Sequence, residues 1–414
     1  MEIPLFHRLL VCRTLLRDPV LRWLTEFAAR PEDEGAAYAF AAALIEKAEQ
    51  WGLAGNLVAD YILFRLAIDE NLAAAIMEQQ KGRVGKSLEA AFTHDIALLE
   101  PLLRELPSAY LPFSLLDAYV PTGVRVADEQ EGAAALFAVM CQPWTAASLA
   151  AELIDHYRRY GCGDIAIYRA FRWDKEKKLV GVENFEPIRL AQLIGYMEQK
   201  QALLGNTLAF LGGRPANNVL LVGARGTGKS SSVKALANEF FRQGLRLIQI
   251  TKPQLAELPG IMQTLRRFAT KHFIVYLDDL SFETSEPEYK YLKSGIEGGL
   301  ETRPDNVLIY ATSNRRHLVK ESWQDREGTD DVHRSDSVNE TISLSDRFGL
   351  IIDYRAPNQR EYLAIIDHYL RAAGITLSPE ELKSAGQRWE MAHSGRSGRT
   401  ARQFVDYYLG QQRE

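Results

Sequence analysis

One short stretch of the chain combines the residue types that bind phosphate groups. The segment GARGTGKS (223–230) follows the apolar run NVLLV and precedes a helical pattern. It matches G-x-x-x-x-G-K-[ST], a loop whose glycines let phosphate oxygens approach backbone N–H groups. A chance glycine-rich turn is the alternative interpretation, and the strand before the loop and the helix after it argue against that alternative.

The motif therefore predicts a nucleotide site. Its residues are Gly223, Ala224, Arg225, Gly226, Thr227, Gly228, Lys229, Ser230 and Ser231. We expect Lys229 to reach the β- and γ-phosphates and the Ser230 hydroxyl to complete a magnesium shell. The helix that begins near Lys229 adds the positive end of its dipole.

Two aspartates follow another apolar run further along the chain. In HFIVYLDDLSF, Asp278 and Asp279 stand where a buried strand ends. Ligands of open α/β sheets bind at the carboxyl ends of the strands, so we expect Asp278 to hold magnesium and Asp279 to polarise an attacking water. The alternative is that the two aspartates only cap the strand and start the next helix.

Two more side chains extend this pattern. The run NVLIYATSN ends at Asn314, an amide that can orient the same water, although an asparagine at a strand end is often only a turn residue. LSDRFGL presents Arg347 just before the last predicted strand. An Asp-Arg pair is usually a surface ion pair. The alternative is an arginine that stabilises transition-state charge on the nucleotide of a neighbouring subunit.

Three arginines surround the start of the last predicted helix. SGRSGRTARQFVDYY (394–408) contains Arg396, Arg399 and Arg402. Arginine is unfavourable in the first turn of a helix unless an anion lies opposite, because the helix dipole is positive there. A bound triphosphate would be such an anion, and a solvated basic helix end is the alternative.

An alternation of strand and helix patterns must position these residues. Apolar runs predict strands at 218–222, 245–250, 273–277, 307–311 and 348–353. Helical stretches between them predict a parallel sheet covered on both faces, the α/β class. After Pro357 only helical patterns remain, at 358–373, 379–393 and 399–409, which predicts a small helical lid. The polar segment 322–340 is typical of an exposed loop.

The first part of the chain has a different pattern. Residues 1 to about 160 repeat apolar residues at three- and four-residue intervals, which predicts helices. Residues 163–186 then place β-branched and aromatic residues on both sides of a charged turn, which predicts a hairpin. We therefore expect a mostly helical domain at 1–187 with a hairpin near 163–186, a nucleotide-binding domain at 188–357, and the lid at 358–414.

Composition restricts the classes of function. The chain has 414 residues, 46% of them hydrophobic and 25% charged, as in an ordinary globular protein of two or three domains. A net charge of −5 does not favour a strongly basic nucleic-acid binder. With no apolar run of roughly 18 residues and no signal-peptide features, we expect a cytoplasmic protein without a membrane partner. The cysteines and histidines show no zinc or disulfide spacing.

The region 188–414 resembles the AAA+ ATPases. The resemblance lies in the order of five features: the phosphate loop, the Asp-Asp strand, the Asn-ended strand, Asp-Arg-Phe and the arginine-bearing lid. Strings such as LIGYMEQKQALLGNT, ANNVLLVGARGTGKSSSVKAL and GRSGRTARQFVDY further resemble a bacterial AAA+ family known chiefly as a domain of unknown function. The N-terminal region of that family corresponds to 1–187.

The resemblance implies a P-loop sheet of order 5-1-4-3-2 with ATP and Mg²⁺ as ligands. It implies that adenine is held near Ile194 and Gly195, and that Arg347 is an arginine finger in a nucleotide-dependent homo-oligomer. It also implies a lid arginine that acts within the same chain, for which Arg402 is the first candidate and Arg399 the second.

The leading hypothesis is an ATPase that couples hydrolysis of Mg·ATP to conformational change in an unknown protein or nucleic-acid partner. Many AAA+ members carry glutamate where this chain has the shorter Asp279, and Glu283 four residues later is a candidate to share its role. One alternative is a loader or initiator associated with nucleic acid, with phosphate contacts from NRRHLVK (314–320) and QTLRRFATKH (263–272). Another is a nucleotide-gated binding module with little hydrolysis.

Overall fold

Within the residues that the structure describes, seven strands form one sheet. The computed structural model describes residues 6–123, 131–282, 286, 288–297, 303–314, 318, 345–393 and 395–411. The strands are β1 (Ala170–Asp174), β2 (Lys178–Gly181), β3 (Val219–Gly223), β4 (Leu245–Ile250), β5 (His272–Leu277), β6 (Val307–Ser313) and β7 (Leu350–Tyr354). The strand order in the sheet is β2-β1-β4-β5-β6-β3-β7. The five predicted strands are β3 to β7, and their order 5-1-4-3-2 is confirmed within the larger sheet.

These five strands are parallel to one another. The central strands β3, β5 and β6 are buried along almost their whole length, which explains their unbroken apolar runs. Because they are parallel, their carboxyl ends meet at one edge of the sheet, and each of these ends carries part of the predicted chemistry.

The predicted hairpin extends this sheet. β1 pairs antiparallel with β2 and parallel with β4, with Ala170 opposite Leu247. The chain divides into two compact units, one of Met1–Tyr168 with 242–244 and 267–271, and the other of the remaining residues. This division falls before the hairpin, whereas the sequence placed its boundary after the hairpin, at 187. Local periodicity identifies a hairpin but does not reveal which distant strand will pair with its edge.

The first unit is helical, as predicted. Its helices are α1 (Pro19–Ala29), α2 (Glu34–Trp51), α3 (Leu57–Ile68), α4 (Leu72–Gln79), α5 (Lys86–Arg104), α6 (Glu131–Met140), α7 (Ala146–Tyr160) and α8 (Asp164–Ile167). The buried carboxylate of Asp95 on α5 accepts hydrogen bonds from the backbone N–H groups of Leu10, Val11 and Cys12. This satisfies the donors of the buried residues Val11 and Cys12, and it fixes the segment before α1.

The second unit places helices around the sheet and ends in the lid. The helices of the α/β part are α9 (Met197–Leu211), α10 (Lys229–Glu239), α11 (Leu258–Arg266) and α12 (Glu288–Glu297). The lid consists of α13 (Gln359–Ala372), α14 (Pro379–Ala392) and α15 (Gly398–Gln411), as the sequence predicted, and it has its own apolar core that includes Ile366, Leu370 and Phe404. The predicted loop at 322–340 lies outside the described residues.

Among the helices that the structure describes, none is both long and apolar enough to cross a membrane.

Gly223 is the point where the phosphate loop leaves the sheet, and its position requires glycine. It lies opposite Tyr354 in the β3–β7 register with φ 132°, and an added Cβ would overlap the carbonyl oxygen of Tyr354. We expect Gly223→Ala to lower the free energy of unfolding by about 2 to 4 kcal/mol, because both strain and overlap oppose it. Chemical denaturation monitored by circular dichroism measures this change.

Gly205→Ala is the matched control for this prediction. Gly205 lies on the exposed face of α9, and nothing lies within 4 Å of an added Cβ. This substitution should stabilise the protein by roughly 0.5 to 1 kcal/mol, because alanine is the better helix former. Equal effects of the two substitutions would show that Gly223 has no special packing requirement.

Candidate nucleotide-binding site

A cavity of about 740 Å³ lies at the carboxyl ends of β3, β5 and β6 and beneath the lid. Its volume is in the range of pockets that hold small ligands. Predicted site residues that line it are Ile194, Arg225, Gly226, Thr227, Gly228, Lys229, Ser230, Ser231, Asp278, Asp279, Asn314, Arg399 and Arg402. The fold thus brings together residues that lie up to about two hundred positions apart in the sequence.

Besides Arg396 of the lid, four predicted residues do not line the cavity. Gly223 and Ala224 are the first two residues of the loop, and their carbonyl oxygens accept hydrogen bonds from Lys229. Gly195 has φ 82° and precedes Tyr196, which also has a left-handed conformation and is the N-cap residue of α9. Arg347 lies half-buried in the turn before β7. Glu283, with most of 314–320, lies outside the described residues.

Lys229 is the buried cation of the phosphate loop. Its Nζ donates to the carbonyl oxygens of Gly223 and Ala224, each at 2.7 Å, and to Oδ1 of Asn314 at 3.2 Å. Burial lowers the pKa of Lys229 below its usual value, while the nearby carboxylates of Asp279 and Asp278 act in the opposite direction. The lysine is therefore held in place by three acceptors, and it lines the cavity together with Asp278 and Asp279.

The phosphate loop is in direct contact with the lid. Gly226 has φ 74°, and an added Cβ would lie 2.8 Å from Oγ of Ser397. The carbonyl oxygen of Gly226 accepts a hydrogen bond of 3.2 Å from the backbone N–H of Arg399, near the start of α15. Gly228, with φ 92°, precedes α10, whose first N–H groups have no partner within the helix. The loop is thus held between the sheet and the lid, and its helix end offers donors to an anion.

Asp278 accepts three hydrogen bonds from hydroxyl groups on one oxygen. Its Oδ1 lies 2.7 Å from Ser230 Oγ, 2.6 Å from the Tyr276 hydroxyl and 2.7 Å from Thr312 Oγ1. Burial by itself raises the pKa of Asp278, but the three donors together bring this pKa below its usual value. Asp278 is therefore a carboxylate at neutral pH, adjacent to a hydroxyl of the phosphate loop.

Asp279 and Asn314 form the second polar pair of the site. Asn314 Nδ2 donates to Asp279 Oδ1 at 2.5 Å, while the amide oxygen of Asn314 accepts from Lys229. Asp279 has a left-handed backbone, φ 50°, and its N–H donates to Thr312 Oγ1 at 3.0 Å. The same amide therefore orients the carboxylate and contacts the loop lysine, so it is more than a turn residue.

Sequence reasoning missed Thr312 and Tyr276. Each lies two residues before a predicted site residue on the same strand, Thr312 before Asn314 and Tyr276 before Asp278. Side chains two apart on a strand share a face, so this spacing was a usable signal. Both are almost fully buried, and their hydroxyl groups take part in the network around Asp278.

The three lid arginines have different surroundings. Arg396 forms an ion pair of 3.0 Å with Glu390 and does not line the cavity. Arg399 lines the cavity close to the phosphate loop, and its charge contributes to the lowered pKa of Lys229. The Arg402 guanidinium lies 5.5 Å from the centre of the Tyr369 ring, which also lines the cavity.

The donor set fits Mg²⁺ and a triphosphate. Ser230 Oγ and Asp278 Oδ1 are hard oxygen ligands within 2.7 Å of each other, and Mg²⁺ commonly takes its other ligands from phosphate and water. Within the part of the chain that the structure describes, no three His, Cys, Asp or Glu side chains cluster as a metal site.

The sheet order, the phosphate loop and the helical lid define an AAA+-type P-loop NTPase fold. The family described as "Protein of unknown function (DUF815)" matches residues 166–412, more than half of the chain, and the chain belongs to this family. The match begins just before β1, so the hairpin is part of the family's region.

Solved structures with similarity to the chain include the RuvB Holliday junction branch migration motor of Thermotoga maritima. It has 15% sequence identity and a TM-score of 0.38, and the match covers 55% of this chain and 65% of that chain. A point mutant of the same protein has 15% identity and a TM-score of 0.36, with 54% and 72% covered. No curated protein matches the chain.

The hydroxyl of Thr312 donates to the carboxylate of Asp278 and accepts from the backbone N–H of Asp279, so its loss should lower the stability of the protein. We expect Thr312→Val to destabilise the protein by about 1 to 3 kcal/mol, because the Asp279 N–H loses its acceptor and Asp278 loses a donor. Thr312→Ser keeps the hydroxyl and should be less destabilising. Urea denaturation of both variants measures the difference, and an effect of serine as large as that of valine would contradict this role for the hydroxyl.

Proposed function

We propose that this protein is an ATPase that binds Mg·ATP in the cavity beneath the lid and couples its hydrolysis to conformational change in a partner macromolecule. The observation that carries the proposal is the hydrogen-bonded chain from Lys229 through Asn314 to Asp279. These two hydrogen bonds connect the lysine suited to bind phosphate to the aspartate suited to orient water. A loop with a purely structural role would not require this connection.

The binding roles follow from position and charge. Lys229 and the N–H groups at the start of α10 would hold the β- and γ-phosphates. Ser230 and Asp278 would hold Mg²⁺, which when bound neutralises charge on the phosphates. Ile194 and Tyr196, at the lid side of the same cavity, would contact the base, with Gly195 supplying the turn between them.

Asp279 is proposed as the residue that orients the attacking water. It is one methylene shorter than the glutamate of many AAA+ members. Two features compensate in this chain: its backbone is fixed by the bond from its N–H to Thr312, and its carboxylate is fixed by the amide of Asn314. The exposed guanidinium of Arg225, in the phosphate loop, lies 4.0 Å from the carboxylate of Asp279. An exposed ion pair of this kind contributes little to stability.

Two further roles, sensing of the terminal phosphate and stabilisation of the transition state, are assigned to arginines. Arg402 is proposed to contact the terminal phosphate from the lid, with Arg399 as the alternative, since both line the cavity. Arg347 does not line the cavity of its own chain. This supports the proposal that it acts on the nucleotide of a neighbouring copy, which makes the active form a nucleotide-dependent homo-oligomer.

One of the basic residues suggested for contacts with nucleic acid is buried. Lys271, in the segment suggested for phosphate contacts, is fully buried and donates to Glu78 and to the carbonyl oxygen of Tyr157. It is therefore not available to contact a nucleic-acid backbone. Most of the other suggested segment, 314–320, lies outside the described residues.

Lys229→Ala tests the central proposal. We expect phosphate release from Mg·ATP to fall below about 1% of the unsubstituted rate, because the buried cation that stabilises the phosphates is lost. Lys383→Ala, an exposed lysine on α14, is the matched control and should leave the rate unchanged. Absence of turnover in the unsubstituted chain at every protein concentration would remove the claim of hydrolysis.

Asp279→Asn separates hydrolysis from binding. Asparagine tolerates the left-handed backbone of this position, so the fold should be preserved. We expect the affinity for Mg·ATP, measured by calorimetry, to remain within about threefold while turnover falls by about 10² or more, the scale of a lost general base. If the unsubstituted protein binds Mg·ATP but hydrolyses it no faster than Asp279→Asn does, the protein is instead a nucleotide-gated binding module.

Arg347→Ala tests the role in a neighbouring subunit. We expect turnover to fall by about 10³-fold with nucleotide binding retained, the scale expected for an arginine finger. Arg355→Ala, an exposed arginine just after β7, is the control. Light scattering with and without ATP gives the oligomeric state, and a strict monomer with unchanged turnover would leave Arg347 a structural residue.

A further inference from the structure

Tyr369, which belongs to none of the nucleotide-binding motifs, contacts residues of two other segments around the cavity. It lies on α13 of the lid and lines the cavity. The guanidinium of Arg402, on α15, lies 5.5 Å from the centre of its ring. Its hydroxyl donates to the carbonyl oxygen of Gln192 at 3.3 Å, just before the segment that contains Ile194.

The distance between Arg402 and the ring is within the range of a cation–π interaction. Arginine has a long side chain with several rotatable bonds, and a contact that limits its conformations lowers the entropy lost when it binds a ligand. No carboxylate ion pair of Arg402 is found within the part of the chain that the structure describes. The Tyr369 ring is thus the neighbour that the structure shows for this guanidinium at the cavity wall.

The hydroxyl adds a second connection. Its bond to Gln192 joins the lid helix to the chain that leads into α9, and this segment also contributes Leu193 and Tyr196 to the cavity. Movement of the lid relative to this segment would therefore displace the ring on which Arg402 rests. The position of the base-side segment and the position of the lid arginine are coupled through one side chain.

We propose that Tyr369 is a positioning residue that holds Arg402 toward the terminal phosphate and so gives the site its preference for ATP over ADP. The proposal rests on the function proposed above and deepens it. Tyr369 acts through Arg402 and takes no part in the bond that is broken. Its effect is therefore on discrimination between the two nucleotides rather than on affinity for both.

The experiment is a double-mutant cycle on the full chain, in an Asp279→Asn background so that ATP is not consumed. Calorimetry gives the dissociation constants of Mg·ATP and Mg·ADP for Arg402→Ala, Tyr369→Leu and the variant with both changes. We expect Arg402→Ala to lower the preference for ATP by about tenfold and Tyr369→Leu by about three- to fivefold, the scale of a partly exposed cation–π contact. Added to Arg402→Ala, Tyr369→Leu should change the preference no further.

Conservative variants keep the test independent of folding. Tyr369→Phe retains the ring and should keep the ATP preference within about twofold, whereas Tyr369→Met fills similar space without a ring and should behave like leucine. Tyr407→Leu removes an exposed aromatic ring from the same lid, away from the cavity, and should leave the preference unchanged.

Two results would overturn the inference while the proposed function stands. One is an equal loss of ATP and ADP affinity in Tyr369→Leu, and the other is a full additional loss when it is combined with Arg402→Ala. Failure of the unsubstituted chain to bind ATP is a different result, and it would remove both proposals.

Discussion

The close approach of the phosphate loop to its neighbours is the constraint on which the site depends. At Gly223 the loop backbone lies against the carbonyl of Tyr354 in β7, and at Gly226 it lies against Ser397 before the last lid helix. No side chain fits at either contact, so these glycines serve packing as well as phosphate access. The loop is therefore held on one side by the sheet and on the other by the lid, and a change in its conformation must move one of them.

Around this loop, hydroxyl and amide groups rather than additional charges hold the acidic residues in place. Asp278 keeps its negative charge because Ser230, Tyr276 and Thr312 all donate to it. Asp279 is oriented by the amide of Asn314, which also contacts Lys229. Neutral donors of this kind stabilise the charged form of a carboxylate without neutralising it, and all three of them use one oxygen, Oδ1.

Much of the second unit was predictable because each signal is local. A buried parallel strand appears as an unbroken apolar run, and chemistry at its carboxyl end follows immediately in the sequence, as with Asp278 after β5 and Asn314 after β6. The lid helices were equally clear. Tyr276 and Thr312 could have been found by the two-residue spacing of a strand, but their role depends on a neighbouring strand. The partner of the hairpin, the place of Arg402 over Tyr369, and the burial of Lys271 depend on contacts between distant segments.

The sequence by itself determined the types of element, the order of the five parallel strands through its family resemblance, and the candidate residues for a nucleotide site. These properties are encoded by periodicity and by motifs in which the reacting groups are near neighbours along the chain. Only the tertiary structure decided that β1 joins the edge of the sheet at β4, which oxygen of Asp278 receives three hydroxyl groups, and which side chain supports Arg402. Such pairings are selected by packing and hydrogen-bond satisfaction among segments far apart in sequence, and no local pattern records them.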